Sequence, residues 1–495
     1  MKRPCIALLP AAVFAAMLGL AGCANYSGLH TSGKAVDPTS LKAGVSLDGT
    51  PLSPAAWPSE RWWTGLGDAQ LDSLIDEALR GTPDLQIAEA RARQATAAAQ
   101  AQDAERMPSV KGTASYAGIR APESVLPAPT GGRYSAVKYL SASFSYDLDL
   151  WGGQRDAWEA ALGQANAAEV DRQAASITLS TNVARAYSEL AHAFIARDLA
   201  QDELDRSQHL FQLSQKRMDA GLDSKVQLQQ TQTQVASAKQ QLAAAEQDIA
   251  SDRIALAVLL GQGPDRGQEL QRPQELKPGA LTLPSNLPAE LLGRRPDIVA
   301  ARWRVEAASK SIDSAKTEFY PNLNLSAMVG LAALHTSDVL KAPSRFFQIA
   351  PAISLPIFDG GRLRANLAGK NADYDLAVAQ YNRTLINALG EVTDDLGKLR
   401  SLEQQIDDQR DARDIAKSNF DLAMRRYGEG VGNYLDALSV QQQLLLAERQ
   451  LASLDAQRID LSVQLIQALG GGYQPDTTPT PTPAPLAQAN AAAAH

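Results

Sequence analysis

The chain has 495 residues, 45% of them hydrophobic and 5% aromatic, with a net charge of −8. That charge, with no basic cluster, excludes a nucleic-acid surface. Two cysteines, Cys5 and Cys23, exclude a disulfide framework and a multi-cysteine metal site. The alanine-rich composition favours long helices over an aromatic core. Beyond the N-terminal stretch no run approaches ~20 apolar residues, so no membrane-spanning helix is expected.

Lys2 and Arg3 precede an apolar run from Ile6 to Leu20, and Leu20-Ala21-Gly22-Cys23 follows. The last four resemble the lipobox of bacterial lipoproteins. The resemblance implies a signal peptide over 1–22 and a lipid anchor on Cys23. With Ala24 rather than Asp next, it implies retention at the outer membrane. Residues 23–67, rich in Gly, Ser, Pro and Thr, read as a tether ending in a packing point at Trp57, Trp62 and Trp63. Helical pattern runs from Asp68 to Met107, interrupted near Gly81-Thr82-Pro83-Asp84. Residues 120–138 hold Pro122, Pro127, Pro129 and Gly131-Gly132 and read as a loop. From Tyr139 to Leu148 the residues alternate: Leu140, Ala142, Phe144, Tyr146 and Leu148 on one side, Ser141, Ser143, Ser145 and Asp147 on the other. Period two predicts a strand with one apolar and one polar face, which suits a membrane strand.

After Gly152-Gly153, helical pattern continues from Gln154 to Met218, about 100 Å at 1.5 Å per residue. A break at Arg217 to Ser224 precedes a return helix, Ser224 to Leu260. There Leu228, Val235, Leu242, Ile249 and Leu256 recur every seven residues, a coiled-coil seam. Residues 262–293 read as a connector. The pattern then repeats: Pro296-Asp297 lies 213 positions after Pro83-Asp84, Gly360-Gly361 lies 208 after Gly152-Gly153, and Gly430 lies 209 after Gly221. The chain therefore divides into a first repeat over 68–261 and a second over 294–470, each a helix, two strands and a long helical hairpin. Residues 471–495 read as a disordered tail. The second repeat's strands are Asn322 to Leu331 and the less regular Phe346 to Leu355, broken by Pro351. Four strands cannot close a barrel, and an open edge cannot sit in lipid, so several copies must pool their strands.

At each hairpin tip a glycine can take positive φ and a Ser or Asn can cap the next helix. The tip residues are Gly221, Leu222 and Ser224 in the first repeat, and Gly430, Val431 and Asn433 in the second. His192, His209 and His335 show no metal-ligand spacing, and no nucleophile motif, phosphate loop or zinc signature occurs. Asp394-Asp395 and Asp407-Asp408 read as exposed helix faces. Six methionines, with Met1 and Met17 in the signal, offer no thioether path for metal export. An enzyme is not expected.

Four motifs carry a family resemblance: Leu291-Leu292-Gly293-Arg294-Arg295-Pro296-Asp297-Ile298, Phe319-Tyr320-Pro321-Asn322-Leu323, Phe358-Asp359-Gly360-Gly361-Arg362, and Arg426-Tyr427 through Tyr434-Leu435. With the lipobox, and from about Trp57 to Gly470, the chain resembles the outer membrane factor (TolC-like) family. It is most similar to the NodT-type lipoprotein branch serving resistance-nodulation-division efflux pumps. The resemblance implies a mainly α fold with a small membrane β part. A homotrimer would form a twelve-stranded barrel continued by a helical coiled-coil periplasmic tunnel. It further implies tips that dock to a periplasmic membrane fusion adaptor, which joins an inner-membrane pump. No cofactor is implied beyond covalent lipid on Cys23. By the same resemblance, Asp436 lines a periplasmic constriction, with Ser439 in place of a second acid. Tyr427 matches a tyrosine that helps hold such ducts closed. Its usual arginine and aspartate partners align with Gly432 and Gln227, which points to a gate held by packing and fewer polar links. Asp223 could add charge nearby. The competing readings are a duct for protein secretion and a non-porous, lipid-anchored periplasmic scaffold.

Overall fold

A computed structural model describes residues 25–41, 57–125, 132–278 and 293–474. The signal peptide, Cys23, part of the tether, part of the connector and residues 475–495 lie outside the described residues. The helices are α1 (Ala69–Leu79), α2 (Pro83–Ala104), α3 (Gly153–Asp219), α4 (Lys225–Leu259), α5 (Pro296–Thr317), α6 (Arg362–Gly428) and α7 (Tyr434–Ala468). The strands are β1 (Ser109–Arg120), β2 (Tyr134–Leu148), β3 (Asn322–Ala333) and β4 (Arg345–Ser354). The repeat is visible in the lengths: α2 and α5 have 22 residues each, α3 and α6 have 67, and α4 and α7 have 35. No described helix is long and apolar enough to cross a membrane.

The chain forms two compact units, and each takes pieces from both repeats. The first holds residues 1–35, 92–168 and 301–381, with all four strands. The strands form one antiparallel sheet in sequence order, leaving β1 and β4 as edges. The register sets Val110 opposite Phe144, Ala142 opposite Val329, and Val329 opposite Phe347. Directly opposed residues share a face. One face therefore collects every Ser, Thr, Asn and Gln of the strands, and the other collects Val110, Leu140, Phe144, Leu325, Ile349 and their kind. β2 begins at Tyr134, inside the stretch expected to be loop. Tyr134 to Lys138 pair with Arg120 to Tyr116, and Lys138 interrupts the apolar alternation that would have revealed them. Pro351 sits in β4, at an edge, where its missing N–H costs no ladder bond within the chain.

Below the sheet α5 lies close to α3. A side chain at Gly163 would crowd Ala307 at 3.0 Å, so glycine permits the approach. Lys310 Nζ lies 3.2 Å from Asp156 and 2.6 Å from Glu159. Residues 25–35 are not a free tether, for they dock beside α6. The Asn25 carbonyl accepts from Arg364 Nη1 at 2.5 Å, and the Tyr26 and Tyr320 hydroxyls lie 3.0 Å apart. The Asp375 carboxylate accepts from the Ser32 hydroxyl and the Gly33 N–H, each at 2.6 Å.

The second unit holds 36–91, 169–300 and 382–495. Its core gathers Trp62, Trp63, Leu71, Ile75, Tyr187, Leu190, Leu256 and Val463. The Tyr187 hydroxyl donates to Asp68 at 2.7 Å and accepts from Gln70 at 2.8 Å. Burial and then the Asp68 carboxylate push that phenol well up. Arg295 pairs with Asp297 at 2.7 Å and Glu391 at 2.8 Å, and donates to the Ala468 carbonyl. Burial opposes its charge, but the two carboxylates outweigh burial. Two expectations need correction here. Residues 471–473 are packed, with Tyr473 buried. Gly471 and Gly472, at positive φ, approach Ile177 and Ser59 too closely for any side chain. Asp395 is buried, not on an exposed face, and burial raises its pKa, whereas Asp394 pairs outward with Lys398.

Candidate functional site

The two hairpin tips lie in the second unit. α3 ends in a glycine turn: Gly221 has φ 73°, and the Leu222 N–H donates back to the Arg217 carbonyl at 2.8 Å. Ser224 then caps α4. Its hydroxyl accepts from the Gln227 N–H at 3.3 Å, while the Gln227 side chain accepts from the Ser224 N–H at 2.6 Å. α6 ends likewise, with Gly430 at φ 80° and the Val431 N–H donating to the Arg426 carbonyl at 3.0 Å. Asn433 caps α7 by accepting from the Leu435 N–H at 3.0 Å. Sharp caps leave apolar side chains pointing outward: Leu222 is 66% exposed and Val431 68%.

A polar cluster ties the first tip to the second. The Tyr427 hydroxyl, on α6, donates to Asp223 Oδ2 at 2.5 Å. Arg217 Nε, on α3, donates to Asp223 Oδ1 at 3.1 Å. Arg217 Nη1 donates to the Tyr427 carbonyl at 3.0 Å, and its guanidinium lies 4.5 Å from the centroid of the Tyr427 ring. The Ser214 hydroxyl donates to Asp223 at 3.4 Å. The cluster is closed to water: Tyr427 is 1% exposed and the Asp223 side chain 2%. Burial, and then the hydrogen bond to Asp223, push the Tyr427 phenol up to about 12. Behind it Leu210, Tyr434 and Ala437 form an apolar layer. A second buried polar layer follows, where Gln441 Nε2 donates to Glu203 at 2.7 Å and Arg206 bridges Glu203 and Glu448.

The structure thus brings Tyr427 and Asp223 together and leaves Asp436 apart. Asp436 is exposed on the first turn of α7, on the side away from buried Tyr434 and Ala437. The expectation of few polar links at Tyr427 is corrected. Its partners are an aspartate in the tip loop and an arginine on α3, not residues at the aligned positions. Gln227 is engaged in the capping box, and Gly432 sits against Tyr427, where a Cβ would lie 2.7 Å from the backbone nitrogen. Sequence reasoning missed Arg217, Ser214 and Tyr434. A signal for Arg217 was present, since it holds in the first tip the place that Arg426 holds in the second.

The sequence profile described as outer membrane efflux protein matches residues 74–262 and 287–471. The fusaric acid resistance protein FusA of Burkholderia cepacia is 37% identical over 74% of this chain and 69% of its own length. The multidrug resistance outer membrane protein MdtP of Escherichia coli strain K12 is 31% identical over 92% of this chain and 94% of its own. The crystal structure of the outer membrane protein VceC from Vibrio cholerae superposes with a TM-score of 0.79. It is 35% identical over 84% of this chain and 100% of that one.

Proposed function

The chain belongs to the outer membrane efflux protein family, and from that premise we propose how it works as the exit duct of an efflux system. The observation that carries the reading is the two-faced sheet with both edges unpaired. A face of serines and asparagines suits a water-filled lumen, and a face of aliphatic side chains suits lipid. Open edges are not tolerated in a bilayer, so copies close the ring. Three copies give twelve strands, wide enough for an aqueous path, whereas two give a barrel filled by its own side chains. The long hairpins form the periplasmic conduit. Small molecules such as drugs or toxic compounds pass through it, delivered by an inner-membrane resistance-nodulation-division pump through a periplasmic adaptor.

In this reading the exposed Leu222 and Val431, with Gly221, Ser224, Gly430 and Asn433, are the adaptor contact. The Tyr427–Asp223–Arg217 cluster is the latch that holds the two tips of one chain together, and so holds the periplasmic end shut. Asp436, outside the latch, lines the constriction, and its symmetry copies favour cations. Lipid on Cys23 anchors the chain. The docked segment supports this. Asn25 and Tyr26 are held by Arg364 and Tyr320 at the helix-proximal end of the sheet. Cys23 precedes Asn25 by two residues in the sequence.

The test is native mass spectrometry of the detergent-extracted protein, followed by planar-bilayer recording. Trimers bearing lipid on Cys23, and discrete conductance steps, are expected. A monomer in several mild detergents, without conductance, would favour the scaffold reading.

A further inference from the structure

We propose that Arg120, Lys138 and Arg345 form a rim on the outer face of the sheet that binds the phosphates of an anionic outer-leaflet lipid. The inference rests on the reading of that sheet as part of a membrane barrel. The four strands carry five charged residues: Lys111, Arg120, Lys138, Asp147 and Arg345. Lys111 and Asp147 lie on the serine face, towards the helix-proximal end. The other three share the aliphatic face. Arg120 opposes Tyr134, Lys138 opposes both Tyr116 and Ala333, and Arg345 opposes Leu331. All three lie at the end of the sheet away from the helices, and all three are basic. The opposite end of the same face is Val110, Leu148, Leu323 and Ile353.

A cation on a lipid-facing surface is costly at mid-bilayer and nearly free at the interface. Tyr116 and Tyr134, with hydroxyls 2.8 Å apart, mark that interface. The three cations therefore stand at headgroup level. Among the described residues the polar contacts of Arg120 and Lys138 are with carbonyls and a ring. Arg120 Nε donates to the Gly132 carbonyl at 2.9 Å, and Lys138 Nζ donates to the Leu334 carbonyl at 2.7 Å and lies 5.4 Å from the Tyr116 centroid. Guanidinium groups with N–H donors to spare are suited to phosphate oxygens.

Spacing selects the ligand. Arg345 is two strands from Lys138 and two residues along, about 12 Å, and Arg120 stands about 13 Å along the strand from the level of Lys138. One small anion cannot bridge such distances, but a headgroup carrying two phosphates can. Closing the barrel makes the demand stronger. β4 of one copy then borders β1 of the next, bringing the Arg345 end beside the Arg120 end. The occupant is a phosphorylated glycolipid packed around the barrel.

The experiment uses the full-length protein in mild detergent, titrated with bisphosphorylated lipid A, with its dephosphorylated form and with inorganic phosphate, and read by native mass spectrometry. The phosphorylated lipid is expected to be retained and the dephosphorylated form lost. Each cation near an anionic surface is worth roughly fivefold. The triple variant Arg120→Gln, Lys138→Gln, Arg345→Gln should lose on the order of a hundredfold in retention, with conductance unchanged. The charge-conserving pair Arg120→Lys, Arg345→Lys should retain most of it, and serves where the triple variant fails to assemble. Equal retention of both lipid forms, full competition by millimolar inorganic phosphate, or loss in the charge-conserving pair would overturn the proposal. A wild-type protein that conducts but retains lipid without regard to phosphate defeats the rim alone. One that retains lipid but never conducts defeats the duct.

Discussion

Replacing Tyr427 with Phe removes one oxygen and leaves the ring in place. The lost bond is a 2.5 Å donation to a carboxylate that is 2% exposed. Hydrogen bonds to charged groups contribute about 1.5–3 kcal/mol. Arg217 and Ser214 still serve Asp223, so the middle of the range applies, about 2 kcal/mol. At ~1.4 kcal/mol per tenfold, each latch opens about 30-fold more readily. The assay is open probability of single channels in planar bilayers. Tyr427→Phe should raise it at least tenfold, and Asp223→Asn should do the same. Together they should give less than the product, because both remove one link, with a coupling of about 1–2 kcal/mol.

The same residue gives a pH test with a fixed sign. Its phenol is raised from 10.0 to about 12 in the folded protein. The stabilisation is therefore complete below pH ~10 and is lost as pH rises towards 12. Open probability should climb over that window in the wild type and stay flat in Tyr427→Phe. If neither variant moves open probability by more than twofold, and the alkaline rise persists without the hydroxyl, the cluster is tip packing and not a latch.

Three further outcomes follow from other contacts. Gly432→Ala places a Cβ 2.7 Å from the Tyr427 nitrogen, and such overpacking costs about 1–3 kcal/mol. It should mimic Tyr427→Phe in bilayer recordings without touching the hydroxyl. Arg295→Met leaves Glu391, Asp297 and the Ala468 carbonyl without their shared donor. Both carboxylates are partly exposed, so we expect about 2–3 kcal/mol, below the full cost of a broken buried pair, read by chemical denaturation. Asp436→Asn should weaken cation preference in reversal-potential measurements while leaving open probability unchanged, because Asp436 stands outside the cluster.

What could be read from the sequence was what obeys a period. The helices followed from proline and glycine punctuation: Gln154 to Met218 and Ser224 to Leu260 match α3 and α4 to within a residue, whereas the pattern read to Met107 ends at Ala104. The Leu228 to Leu256 seam is real, with Ile249 and Leu256 buried and Thr231, Ala238 and Ala245 completing the contact face. β1 was hard to recognise because its apolar face is built from Gly112, Ala114 and Gly118. The start of β2 was hidden by Lys138, the cation that marks the rim. The latch was half legible. Tyr427 and Asp223 stood out as residue types near a turn, but their contact depends on how the two hairpins lie side by side, and no spacing along one helix encodes that.

The duplication itself explains why the Tyr427–Asp223 pair is where it is. Equal helix lengths make the two hairpins of one chain near equivalents. Equivalence is useful for a conduit but not for a lock, because a lock needs unlike partners. The second-repeat counterpart of Asp223 is Gly432, and the first-repeat counterpart of Tyr427 is Met218. The Tyr–Asp pair therefore forms in one direction only, once per chain. Gly432 does more than lack the carboxylate: its missing Cβ is what lets the second tip fold against Tyr427. Departure from the repeat at these positions thus removes a redundant link and seats the remaining one. Restoring symmetry with Gly432→Asp should not add a second latch. It should loosen the first, because the new Cβ collides with the Tyr427 backbone before any carboxylate finds a donor. Open probability should then rise, and a fall would show that the tip has room the contacts deny.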